Sequence, residues 1–260
     1  ATTESYTLSR HDALPIFLSG FLSESKRRSL SGNFPHVKTQ GVIDALFLHM
    51  GPGLNSSPER EFLRSALPNV EFWDQPPLKG DRAYERLAEA SISEAERIAS
   101  SAGRPIRLIA HSFGGNLVRP ILRKIPEKIG SVELYNCGID LTSDFRRLLR
   151  KWGADRETAP ELRDRVREYF SRFPEKSPDP WEPIELLVQD PSFMRLYWPR
   201  REEFSRYLEA ANRSAPLDFE SFRSVVSGYL RDSESIPSSL QWKGDAKVVL
   251  GLDDPLTDAE

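Results

Sequence analysis

The feature that most constrains this chain is the alternation of short apolar runs with amphipathic stretches between residues 42 and 136. Residues 42–48 (VIDALFL), 70–73, 106–110 (IRLIA) and 131–136 (SVELYN) are brief, β-rich and closed by turn formers. Between them, residues 55–67 and 82–101 carry apolar side chains at helical spacing. In the second of these Tyr84, Leu87, Ala88, Ile92, Ala95 and Ile98 form one stripe. A further helix is expected from the serine turn at 112 to about residue 125, with Pro120 inside it as a predicted kink. Strands that alternate with helices predict an α/β fold, a mostly parallel sheet with helices on both faces.

The alternation then stops. Helical patterns at 144–152, 160–172, 183–189, 202–212 and 219–231 follow one another, dense in Arg, Glu and aromatic residues, before residues 247–250 (KVVL) return to strand. The helical block is predicted to be a cap inserted into the sheet domain. The expected organisation is residues 17–142 as core, 143–240 as helical cap and 241–260 as core continued. The segment SYTLSRHDALPI, ending at Ile16, resembles translated sequencing-adapter read-through. Residues 1–16 are therefore set apart as foreign to the fold.

Composition enters by exclusion. With 36 basic and 39 acidic side chains the net charge is −3, which offers no footprint for nucleic acid and no polybasic membrane anchor. No apolar run approaches the roughly 18 residues of a spanning helix, and the apolar stretch 13–22 lacks a clean signal-cleavage site. Cys137 is the sole cysteine, which rules out an intrachain disulfide and suits a cytoplasmic location. No H-x-x-x-H, P-loop or dinucleotide fingerprint is present, so no cofactor and no metal is expected.

Three motifs carry chemistry. Ala110-His111-Ser112-Phe113-Gly114, followed by Gly115, differs from G-x-S-x-G only in its first residue. A serine on a sharp strand-to-helix turn needs small residues around it, because neighbouring backbone comes close. His49-Met50-Gly51-Pro52-Gly53 ends the first strand, and Gly251-Leu252-Asp253-Asp254 follows the last. Each also reads as a plain turn rich in turn formers.

Taken together, the serine turn and the HMGPG loop resemble the α/β-hydrolase family, in particular its proline-iminopeptidase-like branch. The resemblance covers about residues 40–140 and 245–258, leaves the cap unmatched, and departs from the branch pattern at Met50. It implies Ser112 as nucleophile, with the backbone N–H groups of Gly51 and Phe113 as the oxyanion hole. It also implies His49 and Gly53 as supports of the oxyanion loop, and Asp254 as the acid, with Asp253 as fallback. The expected activity is cleavage of an ester or amide through an acyl-serine intermediate, on a small molecule or short peptide. The sequence does not decide oligomeric state. Acyl transfer on the same fold and a non-catalytic binding protein are the alternatives. Glu202 and Glu203 are candidates for a substrate amine, though acidic residues also suit a solvated helix start.

The family order is nucleophile, acid, histidine, yet His11, His36, His49 and His111 all precede Ser112. The side chain of His111 is expected to point away from the serine. The resemblance therefore places the catalytic histidine beyond residue 260, with a final helix and strand missing, and this chain is expected to be inactive or nearly so.

Overall fold

In strand β1 (Ala45–Leu48) every side chain is buried, and successive residues enter opposite cores. Leu46 and Leu48 join one cluster, whereas Ala45 and Phe47 join another. Such a strand is apolar throughout because both faces of its sheet are covered. A computed structural model describes residues 41–138, 140–175, 177–198, 200–213, 217–233, 242–251 and 255. Among these the sheet has five strands, β1 with β2 (Val70–Trp73), β3 (Ile106–His111), β4 (Ile129–Tyr135) and β5 (Asp245–Val249). Their spatial order is β2-β1-β3-β4-β5, and every pairing is parallel.

That order positions the site. The chain leaves β1 to one side for β2, then crosses back over β1 to lay down β3 on the other side. The carboxyl ends of β1 and β3 therefore flank the switch point of the sheet, where open α/β folds form their crevice. Leu48 is in register with Ala110, so the HMGPG loop and the serine turn leave the sheet side by side.

One face of the sheet is covered by α2 (Ala83–Ala102) and α3 (Gly115–Lys124) and the other by α1 (Ser57–Leu63). The predicted stripe of α2 is the buried one, with Ile92 partly exposed. Pro120 does not break α3. It lacks the N–H that would bond the carbonyl of Asn116 one turn earlier, and the Tyr84 hydroxyl of α2 donates to that carbonyl instead, at 2.9 Å.

Four helices and a 3-10 segment follow β4. They are α4 (Leu141–Ala154), α5 (Pro160–Arg172), α6 (Glu182–Val188), the 3-10 turns Pro191–Tyr197, and α7 (Arg201–Asn212). A fifth helix, α8 (Phe219–Ser233), closes the insertion. Asp140 caps α4 by accepting from the N–H groups of Thr142 and Ser143, so the helix starts three residues before the predicted 144. The insertion is not one packing unit. Leu148, Leu149, Trp152, Val166, Tyr169, Leu186 and Leu187 form a cluster of their own. By contrast, Val225, Val226 and Tyr229 of α8 lie in the main core beside α2. On α7, Arg206 stacks over Phe62 of α1 at 5.1 Å.

The first strand is shorter than its apolar run. Val42 and Ile43 are exposed, because pairing with β2 begins only at Ala45 opposite Val70.

Candidate active site

Ser112 follows β3 directly and has φ of +51°, a left-handed conformation that a β-carbon disfavours. Holding it there costs about 1–3 kcal/mol, which only an over-determined turn sustains. The constraint is visible two residues on. A β-carbon on Gly114 would lie 2.2 Å from the carbonyl oxygen of Leu48 and 3.0 Å from that of His49. The backbone after the serine thus rests on the end of β1, and only glycine permits that approach. Ala110, two residues before the serine, is fully buried.

The HMGPG loop is held as tightly. The imidazole of His49 is fully buried, which lowers its pKa and keeps it neutral despite nearby Glu59. Its Nδ1 donates to the Met50 carbonyl at 2.7 Å, and its Nε2 accepts from the backbone N–H of Gln75 at 3.2 Å. The Gln75 side chain in turn donates to the His49 carbonyl at 3.1 Å. Since the Met50–Gly51 peptide is trans, as is every peptide bond among the described residues, anchoring the Met50 carbonyl on His49 turns the Gly51 N–H the opposite way. Further along, Gly53 has φ of +76°, and a β-carbon there would meet the Asp218 carbonyl at 2.3 Å. The Gly53 carbonyl accepts from the Asp218 N–H at 2.8 Å, tying the loop to the start of α8. Ser56 anchors the far end, donating to Asp74 through both its N–H and its hydroxyl.

Comparison with known proteins bears on the fold. No protein-family model matches the sequence, and no curated protein matches it. Among solved structures, the chain is similar to a proline iminopeptidase-related protein from Thermus thermophilus, with a TM-score of 0.54 and 20% identity over 88% of this chain and 82% of that one. An epoxide hydrolase from Bacillus megaterium, solved with its product, matches with a TM-score of 0.47 and 16% identity over 86% and 80% of the two chains. The chain has the α/β-hydrolase fold.

Within that fold the serine turn and the HMGPG loop adjoin at the switch point. Asp253 and Asp254 lie outside the described residues. The loop that leads to them is fixed at its root, where Asn136, itself left-handed at φ +48°, accepts the Gly251 N–H on its side chain at 2.9 Å. His111 turns its Nδ1 to Glu59, 3.3 Å away. On α7 desolvation raises the pKa of the partly buried Glu203 carboxyl, whose Oε2 has no hydrogen-bond partner among the described residues. Glu202 is exposed.

Sequence reasoning missed Glu59, Gln75 and Asn136. In sequence, Asp74-Gln75 reads as a turn closing β2 and Asn136 as a strand end. Nothing in the local pattern marks Glu59 as buried, because it sits in a charged stretch of α1 (SPEREFL). Among the described residues no group of three or more His, Cys, Asp or Glu side chains is placed to hold a metal ion. No helix among them is long and apolar enough to cross a membrane.

Proposed function

We propose that the protein is a serine hydrolase that cleaves an ester or amide bond of a small molecule or short peptide through an acyl-serine intermediate. The observation that carries this reading is the left-handed Ser112 at a strand-to-helix turn, seated against the loop His49–Gly53 at the switch point of the sheet. A plain Ser-Gly turn has no reason to sustain that strain.

In this mechanism Ser112 Oγ attacks the carbonyl carbon and gives its proton to a base. The carbonyl π electrons move onto oxygen, and the oxyanion accepts hydrogen bonds from the backbone N–H groups of Gly51 and Phe113. Each such donor contributes about 3–4 kcal/mol where water is excluded. The tetrahedral species collapses, the leaving group departs with the proton, and water releases the acyl group from Ser112. Asp254 orients the base as the third member. The base is not His49, whose two ring nitrogens are both bonded, and His111 turns its Nδ1 to Glu59. Imidazole added to the buffer supplies a base from solution and is expected to accelerate acylation. The helices α4–α7 act as the cap that excludes water and sets specificity.

The test is release of p-nitrophenol from acyl and aminoacyl esters, with and without imidazole. Turnover that disappears in Ser112→Ala supports the reading, and turnover that survives the substitution ends it.

A further inference from the structure

Glu59 is a buried carboxylate that the mechanism above does not use. It is 5% exposed, and one of its oxygens, Oε1, lies 3.3 Å from both the Met50 backbone nitrogen and His111 Nδ1. Met50 precedes Gly51, and His111 precedes Ser112 and Phe113. A single oxygen thus bridges the two segments that supply the proposed oxyanion donors. Its partner oxygen, Oε2, is buried with no hydrogen bond among the described residues. Burial opposes ionisation of this group, but the hydrogen bond and charge of His111 outweigh it and leave the carboxyl below its ordinary value.

That is a poor arrangement for stability alone. A buried ion pair replaced whole by apolar side chains of similar volume is often no less stable, so a half-satisfied buried carboxylate is weak evidence of a purely stabilising role. What an apolar side chain cannot do is accept two N–H groups at once. The peptide between His49 and Met50 is also gripped at its other end, where Gln75 donates to the His49 carbonyl. With Gln75 on the oxygen and Glu59 on the nitrogen, that peptide cannot rotate. Of these two grips, only Glu59 also reaches the serine turn.

We propose that Glu59 is a positioning residue that locks the spacing between the Gly51 and Phe113 N–H groups by bonding Met50 and His111 through one oxygen. This rests on the reading of Ser112 as the nucleophile. A sub-ångström drift of either donor would weaken stabilisation of the transition state while leaving the fold intact.

The experiment is amide hydrogen exchange on the 260-residue chain, read at residues 49–53, 111–114 and 142–152, together with the rate at which an aryl fluorophosphonate labels Ser112 in imidazole buffer. Glu59→Ala removes the acceptor, Glu59→Leu removes it while keeping the volume, and Glu59→Gln retains a neutral oxygen in its place. The expected result in Ala and Leu is exchange at least about tenfold faster in both site segments, unchanged exchange at 142–152, and labelling slowed by a similar factor. Glu59→Gln restores both to within about threefold. If Glu59→Ala does not fold, the Leu variant carries the comparison. Unchanged site exchange in a folded Leu variant overturns the proposal, as does a uniform rise across all three segments. Wild-type protein that the phosphonate never labels at Ser112 overturns the nucleophile reading instead. The exchange data would then show Glu59 as a loop brace without a catalytic role.

Discussion

The carboxyl ends of β1 and β3 and the helices inserted after β4 are built on different terms. At the strand ends, backbone meets backbone. Gly114 rests on the Leu48 carbonyl, Gly53 on the Asp218 carbonyl, and the His49 ring spends both nitrogens on main-chain groups. In the α4–α6 cluster, side chains meet side chains around Trp152 and Tyr169. Arg146 closes that cluster, stacking on Tyr169 and donating to the carbonyls of Phe173 and Pro174. The first region tolerates no added atom, whereas the second is sensitive mainly to lost volume. A site that must hold two N–H donors in place is expected in the first kind of structure, and an adaptable specificity layer in the second.

The sharpest way to break this contrast is by truncation and addition in the two regions. Trp152→Ala empties the centre of the insertion cluster and is expected to cost about 3–5 kcal/mol in chemical denaturation, with Ser112 labelling of the protein that remains folded unchanged. Gly114→Ala is expected to cost about 3 kcal/mol and to abolish labelling, because its β-carbon overlaps a strand carbonyl that cannot move. The same change at Gly153 meets only the Val166 side chain, at 2.5 Å. With helix propensity partly offsetting that contact, it should cost about 1 kcal/mol. Equal losses at Gly114 and Gly153 would remove the distinction.

Smaller effects sharpen it. Tyr84→Phe leaves the Asn116 carbonyl without the donor that replaces the Pro120 N–H, for a loss of about 1–2 kcal/mol. Ser112→Gly should do the reverse and stabilise by about 0.5–1 kcal/mol, the relief of left-handed strain less the entropy of glycine. No gain there would mean that the turn stores no strain. Acid titration gives a slope, not a step. Burial holds the pKa of His49 below its ordinary 6.5, so the unfolded chain binds a proton that the native state refuses. Stability is full above 6.5 and falls as pH drops from there toward the depressed native value. A melting temperature flat between pH 7 and 5 would contradict the burial of a neutral His49.

Much of this was legible in the sequence, for identifiable reasons. The strand 70–73 and the helix 160–172 have the predicted bounds, because turn formers and a proline punctuate them. The serine turn and the HMGPG loop declared themselves through residues whose size the geometry restricts. The order of the strands was not legible, since pairing is set by which crossovers close and not by any local pattern. Glu59 was hidden for a related reason. A glutamate in a charged helix reads as solvated, and only the packing of α1 against the two loops buries it. Asn136 was missed because a left-handed asparagine at the end of an apolar strand looks like any other turn residue.

The central claim is that Ser112 is a nucleophile. It is tested most directly by mass-spectrometric mapping of the adduct formed with an aryl fluorophosphonate in imidazole buffer, on wild-type chain and Ser112→Ala side by side. The account predicts one adduct per chain, on Ser112, absent from the variant. An adduct on another residue, equal labelling of the variant, or no adduct on the folded wild type would contradict it.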